Sequence, residues 1–171
     1  YRVPTFYDLY WKSGGNPDLK PERSLSIDAG VAAAEDFLGR LEVEGNVFRI
    51  HTEDRIVWTP DKGGLWTPNN LQNEQSEGFE LIATWRLLEQ HVVIRGSYGS
   101  SGTKKVSSDF PGDQTANKQL PFIPRETATV SLAADLGRIN INVVHLFTGY
   151  RFATESNDPL YVLPGFNRTD A

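Results

Sequence analysis

Apolar and polar residues alternate along most of this chain. From Ser24 to Ala33, Leu25, Ile27, Ala29, Val31 and Ala33 are apolar, while Ser24, Ser26, Asp28 and Gly30 between them are polar or small. The same period runs through Arg40–Val47, where Leu41, Val43 and Val47 alternate with Glu42, Glu44 and Asn46. In Glu80–Leu87, Leu81, Ala83, Trp85 and Leu87 take the apolar positions. In Val92–Tyr98 they are Val92, Ile94 and Tyr98, set against Arg95 and Ser97. Ala128, Val130, Leu132, Ala134 and Leu136 alternate with Thr127, Thr129 and Ser131, and Ile139, Ile141, Val143 and Phe147 alternate with Asn140 and Asn142. A period of two is the mark of a strand with one apolar face. Six strands are predicted, with a seventh opening near Pro164.

The alternation persists for about eight to thirteen residues, beyond the five or six usual in soluble strands and near the nine to eleven of tilted membrane strands. Connections also alternate. Short turns are expected at Glu35–Gly39, Leu88–Gln90 and Leu136–Arg138, and long loops at Tyr1–Pro21, Thr59–Gln75, Thr103–Pro124 and Ala153–Pro164. All the long loops would then fall at one end of the sheet, as in outer-membrane barrels. A soluble β-sandwich also alternates but has no reason to sort its loops this way.

One strand contradicts its own pattern. Continuing the odd face of Arg40–Trp58 past Val47 points Arg49 and His51 at lipid. Either a β-bulge near Val47 or Phe48 turns Phe48, Ile50, Ile56 and Trp58 outward, or Arg49 already lies in the headgroup zone.

Composition sharpens the picture. The chain has 171 residues and a net charge of −5, which argues against nucleic-acid binding. It has no cysteine, hence no disulfide framework and no thiolate metal site. No apolar run reaches the roughly 18 to 20 residues of a membrane helix, a test that β-barrels escape. The chain begins and stops in mid-pattern and is read as a piece of something longer.

The most specific stretch is the first loop. It reads Arg2-Val3-Pro4-Thr5-Phe6-Tyr7-Asp8-Leu9-Tyr10-Trp11, then Gly15-Asn16-Pro17-Asp18-Leu19-Lys20-Pro21-Glu22. It resembles two boxes of TonB-dependent outer-membrane receptors: Arg-x-Pro-Thr-(aromatic)-x-(Asp/Glu)-Leu-Tyr and Asn-Pro-x-Leu-x-Pro-Glu. Further resemblances follow in the family's order, at Asp54–Pro60, at Asn70-Leu71 with Ser76–Leu81, at Leu120–Arg125, and at Thr148–Phe152. The resemblance implies an all-β antiparallel meander forming part of a plugged barrel of about 22 strands. It also implies a bacterial outer-membrane location and TonB-driven uptake of a large scarce nutrient such as a ferric siderophore or a cobalamin. Residues 1–171 would supply about six strands and their extracellular loops. The plug domain and the final strands would lie elsewhere. Implied partners are TonB, the receptor's own plug, membrane lipid and lipopolysaccharide, and a siderophore- or cobalamin-like ligand. A passive porin-like channel and a soluble β-rich binding module are the competing readings.

Within the boxes, Arg2, Pro4, Asn16, Pro17, Leu19, Pro21 and Glu22 are assigned a structural role. Pro17 and Pro21 hold the residues before them extended, and Gly14-Gly15-Asn16-Pro17 is a turn signal. Ligand contact is assigned by position to the loop aromatics Tyr10, Trp11, Trp66, Phe110 and Tyr150, which offer large area at low entropy cost. Trp85 near the short turns, and Trp58, Tyr98, Phe147, Tyr150 and Phe152 toward the long loops, are laid out as two interfacial girdles. His51, His91 and His145 are scattered, so no metal site is expected. Asp54, Asp61, Asp109 and Asp113 form no dense cluster for calcium. Haem receptors of this family often carry a histidine between the two boxes. Thr5–Gly15 contains none, which disfavours haem as cargo. No nucleophile, base and orienting group converge, so neither catalysis nor a cofactor is expected.

Overall fold

The computed structural model describes residues 1–60, 64–107 and 113–171. The alternating segments become strands β1 (Arg23–Asp36), β2 (Arg40–Pro60), β3 (Trp66–Leu87), β4 (Val92–Lys105), β5 (Glu126–Asp135) and β6 (Asn140–Thr148). Next come the short β7 (Arg151–Phe152) and β8 (Val162–Leu163), then β9 (Phe166–Asp170), the strand expected beyond Pro164. β1 to β6 and β9 form one antiparallel sheet in which each strand pairs with its neighbour in the chain; β7 and β8 form a separate two-stranded pair. Short connections leave the chain little choice but hairpins.

Register decides which side chains share a face. Across the sheet Ala33 lies opposite Val43, Val43 opposite Ala83, and Ala83 opposite Gly96. Gly96 faces Val130, and Val130 faces His145. One face therefore gathers Leu25, Ile27, Ala29, Val31, Val43, Val47, Phe79, Leu81, Ile94, Val130, Leu132, Ile141 and Phe147, as the alternation predicts. The opposite face carries Ser26, Asp28, Glu42, Glu44, Asn46, Glu80, Thr84, Arg95, Ser97, Thr129 and Ser131. No other described part of the chain covers the apolar face: Ile27, Val31, Val47 and Val130 are all exposed. On the polar face, Arg40 and Arg86 both donate to the Glu42 carboxylate, at 3.0 and 2.6 Å.

One of the two alternatives for β2, and one expected loop, need correction. No bulge occurs at Val47 or Phe48: β1–β2 pairing runs unbroken from Asp36 to Arg23, and the β2–β3 register shifts only between Thr52 and Ile56. Arg49 and His51 stay on the apolar side, opposite Ile27 and Leu25 of β1 and opposite Glu77 and Gln75 of β3, and Arg49 donates to Gln75 at 3.0 Å. The second correction concerns Thr59–Gln75, expected as a long loop. Most of it is paired strand, with Pro60 opposite Trp66. Likewise β4 continues to Lys105, beyond the predicted loop start at Thr103. The polar residues that read as loop belong to hairpins that rise past the apolar rows, where no face has to be greasy.

Candidate functional site

Among the described residues, the buried side chains lie at the loop-bearing end. Leu19, Ile56, Pro68 and Asp8 are all buried where the N-terminal segment packs on the tall β2–β3 hairpin. The segment opens with a short helix, α1 (Phe6–Tyr10), absent from the sequence reading although its start signal was legible. Thr5 caps it: its hydroxyl accepts from the Asp8 N–H, and the Asp8 carboxylate accepts from the Thr5 N–H in return. This reciprocal pair satisfies backbone donors that a helix start otherwise leaves bare.

Asp8 does more than cap. Its other oxygen accepts from the Trp58 indole at 3.0 Å, and the Arg2 guanidinium lies 3.8 Å away. Burial alone would push this carboxyl up. The Thr5 hydroxyl and N–H, the Trp58 indole and the Arg2 charge outweigh burial and hold it below the ordinary carboxylate range. Arg2 also exchanges both backbone bonds with Glu22, at 3.0 and 2.9 Å, and its guanidinium sits 3.3 Å from the Glu22 carboxylate. Glu22 in turn accepts from the Ile56 N–H at 3.0 Å. β1–β2 pairing stops at Arg23 and Glu53, so the Glu22 side chain stands in for a missing strand partner.

The Asn-Pro-x-Leu-x-Pro-Glu box is fastened by asparagines. Asn16 accepts from the Asp18 N–H, closing a tight turn, and donates to the Pro68 carbonyl across the gap. Asn70 binds the backbone of Lys20, and Leu19 between them is buried. Gly14 needs its missing side chain, since a Cβ there would lie 2.5 Å from the Trp66 carbonyl. Asn16 thus ties this loop to the β2–β3 hairpin at Pro68, and Asn70 ties it at Lys20.

The aromatic candidates fall in two places. Trp11 stacks on Tyr7 with ring centroids 5.3 Å apart and meets Trp58 at 5.5 Å. Tyr10 packs on Phe6 and, like Trp66, is exposed. Tyr150 pairs with Phe152 at the β6 end, apart from this cluster. Phe110, Asp61 and Asp109 lie outside the described residues. Trp58 belongs to the loop cluster, contrary to its girdle assignment. Its indole N–H has a buried carboxylate to serve, which outweighs a place at an interface.

A second loop anchor is built the same way. Asn157 accepts from the Gln119 N–H at 2.8 Å and donates to the Gln119 carbonyl at 2.7 Å. Below it the Lys105 ammonium is buried with Asp113 and Thr115, each at 2.9 Å. Among the described residues no group of three or more His, Cys, Asp or Glu side chains converges as a metal site. His145 pairs with Thr169 at 2.8 Å.

A meander with one apolar face, one polar face, short turns at one end and anchored loops at the other is the wall of a membrane β-barrel. The family model for the TonB dependent receptor-like β-barrel matches residues 1–171, and the chain belongs to this family of outer-membrane barrels, receptors and transporters rather than enzymes. The apolar face is accordingly the lipid face. The chain is 43% identical over 94 residues to vitamin B12 transporter BtuB of Vibrio vulnificus, covering 54% of this chain. It is 27% identical over 157 residues to vitamin B12 transporter BtuB of Photobacterium profundum, covering 88% of this chain. It spans only 14% and 24% of those two relatives. Among solved structures, copper transporter OprC matches 98% of this chain and 26% of its own, with a TM-score of 0.71 at 21% identity. Ferric citrate transporter FecA, unliganded, matches 87% of this chain and 23% of its own, with a TM-score of 0.64 at 19% identity. At these identities the structures establish the shared fold.

Proposed function

We propose that these residues form part of the barrel wall of a receptor that performs TonB-dependent uptake of a large scarce nutrient. The observation that carries this is the family match over the whole chain. Cobalamin is the first cargo to test, supported by the two vitamin B12 transporters, and a ferric siderophore is the second. The plug and the remaining strands lie in the rest of the receptor, and the plug would sit against the polar face of Glu44, Glu80 and Arg95. Lipid and lipopolysaccharide would cover the apolar face. Tyr10, Trp11, Trp66, Phe110 and Tyr150 remain the proposed cargo contacts, now divided between two loop clusters.

The test is uptake of labelled cyanocobalamin by cells whose only receptor is the full-length protein, with and without TonB. Uptake that vanishes without TonB supports the reading. Uptake of cyanocobalamin or of ferric siderophores that persists without TonB would instead identify a passive channel. TonB-dependent uptake of a ferric siderophore but not of cyanocobalamin would keep the transport class and replace the cargo.

A further inference from the structure

The lipid face is too short for a membrane unless the turns below it are counted. On β3 to β5 its upper limit is sharp: above Phe79, Tyr98 and Ala128 the outward positions are Glu77, Ser100 and Glu126. From Phe79 down to the end of β3 at Leu87 there are eight residue steps. At about 3.4 Å per step that is ~27 Å of strand, or ~20 Å of height at the usual tilt. An outer-membrane barrel needs an apolar band of about 25 Å. β5 falls shorter still, with six steps from Ala128 to its last outward position, Ala134.

The missing height is present in the turns. Phe37, Leu38, Leu88, Leu136 and Ile139 are all exposed at the three short connections, with Leu38 at 77% and Leu88 at 67%. A second observation is independent of length. Leu38 and Leu88 occupy left-handed backbone conformations, with φ of 47° and 48°. Turns in water fill such positions with Gly, Asn or Asp, because a larger side chain strains there. Leucine takes two of them, the second beside the left-handed Glu89 and Gln90 of the same turn.

Resting on the outer-membrane reading, we infer that the short turns seat in the lipid headgroup region of the inner leaflet: Leu38, Leu88 and Leu136 extend the apolar band, and the turns do not hang free in the periplasm. The partner is a phospholipid surface. Leu38-Gly39-Arg40 and Leu136-Gly137-Arg138 repeat one pattern, an apolar tip, a glycine and a cation, of which Arg40 turns to the polar face and pairs with Glu42. The same ends carry Glu35, Asp36, Glu89 and Asp135, so the seat is the interface and not the hydrocarbon centre.

The test uses the full-length receptor in phospholipid vesicles, with nitroxide labels on Leu38→Cys, Leu88→Cys or Leu136→Cys. This segment has no cysteine of its own. Val130→Cys serves as the lipid reference and Gln114→Cys as the water reference. Turn labels should be reached more readily by oxygen than by a water-soluble nickel chelate, following Val130. Turn labels that follow Gln114 while Val130 reports lipid would overturn the inference and leave the barrel reading intact. A Val130 label open to the chelate would overturn both.

Discussion

The side chain of Asn70 grips the backbone of Lys20 at both ends, its Oδ1 accepting from the Lys20 N–H at 2.8 Å and its Nδ2 donating to the Lys20 carbonyl at 3.0 Å. The two residues are fifty positions apart in the chain. One amide here does the work of a strand neighbour, and Asn157 does the same for Gln119. Both asparagines fasten a loop where strand pairing has ended.

Asn70→Ala should therefore loosen the N-terminal segment without melting the sheet. It removes the bonds to Lys20 and another to the Asp54 carbonyl. At about 1 kcal/mol net per bond, local opening should become easier by about 1–3 kcal/mol. The Lys20 amide should exchange roughly 10- to 100-fold faster by that measure, with β4 and β5 amides unchanged. Equal acceleration across the sheet would show instead that the loop is part of the global folding unit.

Asp8 gives the same segment an acid limit. Its carboxyl is held below its ordinary value of 3.8 in the folded loop. A group depressed on folding contributes stability above its unfolded pKa and loses it as pH falls through the folded one. The anchor should thus be fully present at neutral pH and weaken only below about 3.8. The emission of Trp58, whose indole reports the Asp8 bond, should change in that window. Asp8→Asn should abolish that change. An unaltered titration in the variant would assign it to another group.

What the sequence made legible follows from what the membrane demands. Between Val47 and Leu41, or Phe79 and Leu87, every second side chain must be apolar, so strand existence, parity and shared face could all be read from the text. Above Thr52 that demand lapses. Asn69 and Asn70 then fall in the stretch expected as a long loop, although Asn70 sits in a paired strand and serves as a backbone surrogate. Trp58 was misplaced for a related reason: position along a strand suggests a girdle, but only the fold reveals that a buried carboxylate fifty residues away needs its N–H. The Thr5-x-x-Asp8 capping pattern was visible and unused. Tyr150 and Trp11 could not be separated without the strand order.

Gly39 should be the least replaceable residue of the first turn. Its φ is 122°, and a Cβ there would lie 2.2 Å from the Arg86 carbonyl. Gly39→Ala meets both a forbidden backbone region and a clash with β3, so a loss of about 1–3 kcal/mol is expected. Gly137→Ala has a positive φ of 80° but open space around its Cβ, and should cost less. Urea unfolding of the full-length receptor in vesicles would rank the two. A larger loss at Gly137 would contradict the geometry.

The two faces of the sheet should respond oppositely to the same charge. Leu81 sits in the apolar face, flanked by Gly45 and Tyr98, with polar Glu77 two positions above Phe79 and Trp85 below. Thr129 lies on the other face, between Ser97 and Leu146. An arginine on the lipid side must leave water for hydrocarbon, which costs about 2–4 kcal/mol near the midplane of a barrel and much less toward the rim. Leu81 lies one outward position below the Phe79 limit, so Leu81→Arg should destabilise the receptor in vesicles by about 1–3 kcal/mol, between the rim and midplane costs. Thr129→Arg should change stability by well under half as much, because its guanidinium stays in a polar lumen. Arg49 supplies the internal control: it already stands on the lipid side, opposite Glu77 and bonded to Gln75, so Arg49→Leu should gain little. Equal costs for Leu81→Arg and Thr129→Arg would show that the two faces are not divided between lipid and lumen, and would remove the physical basis of the barrel wall.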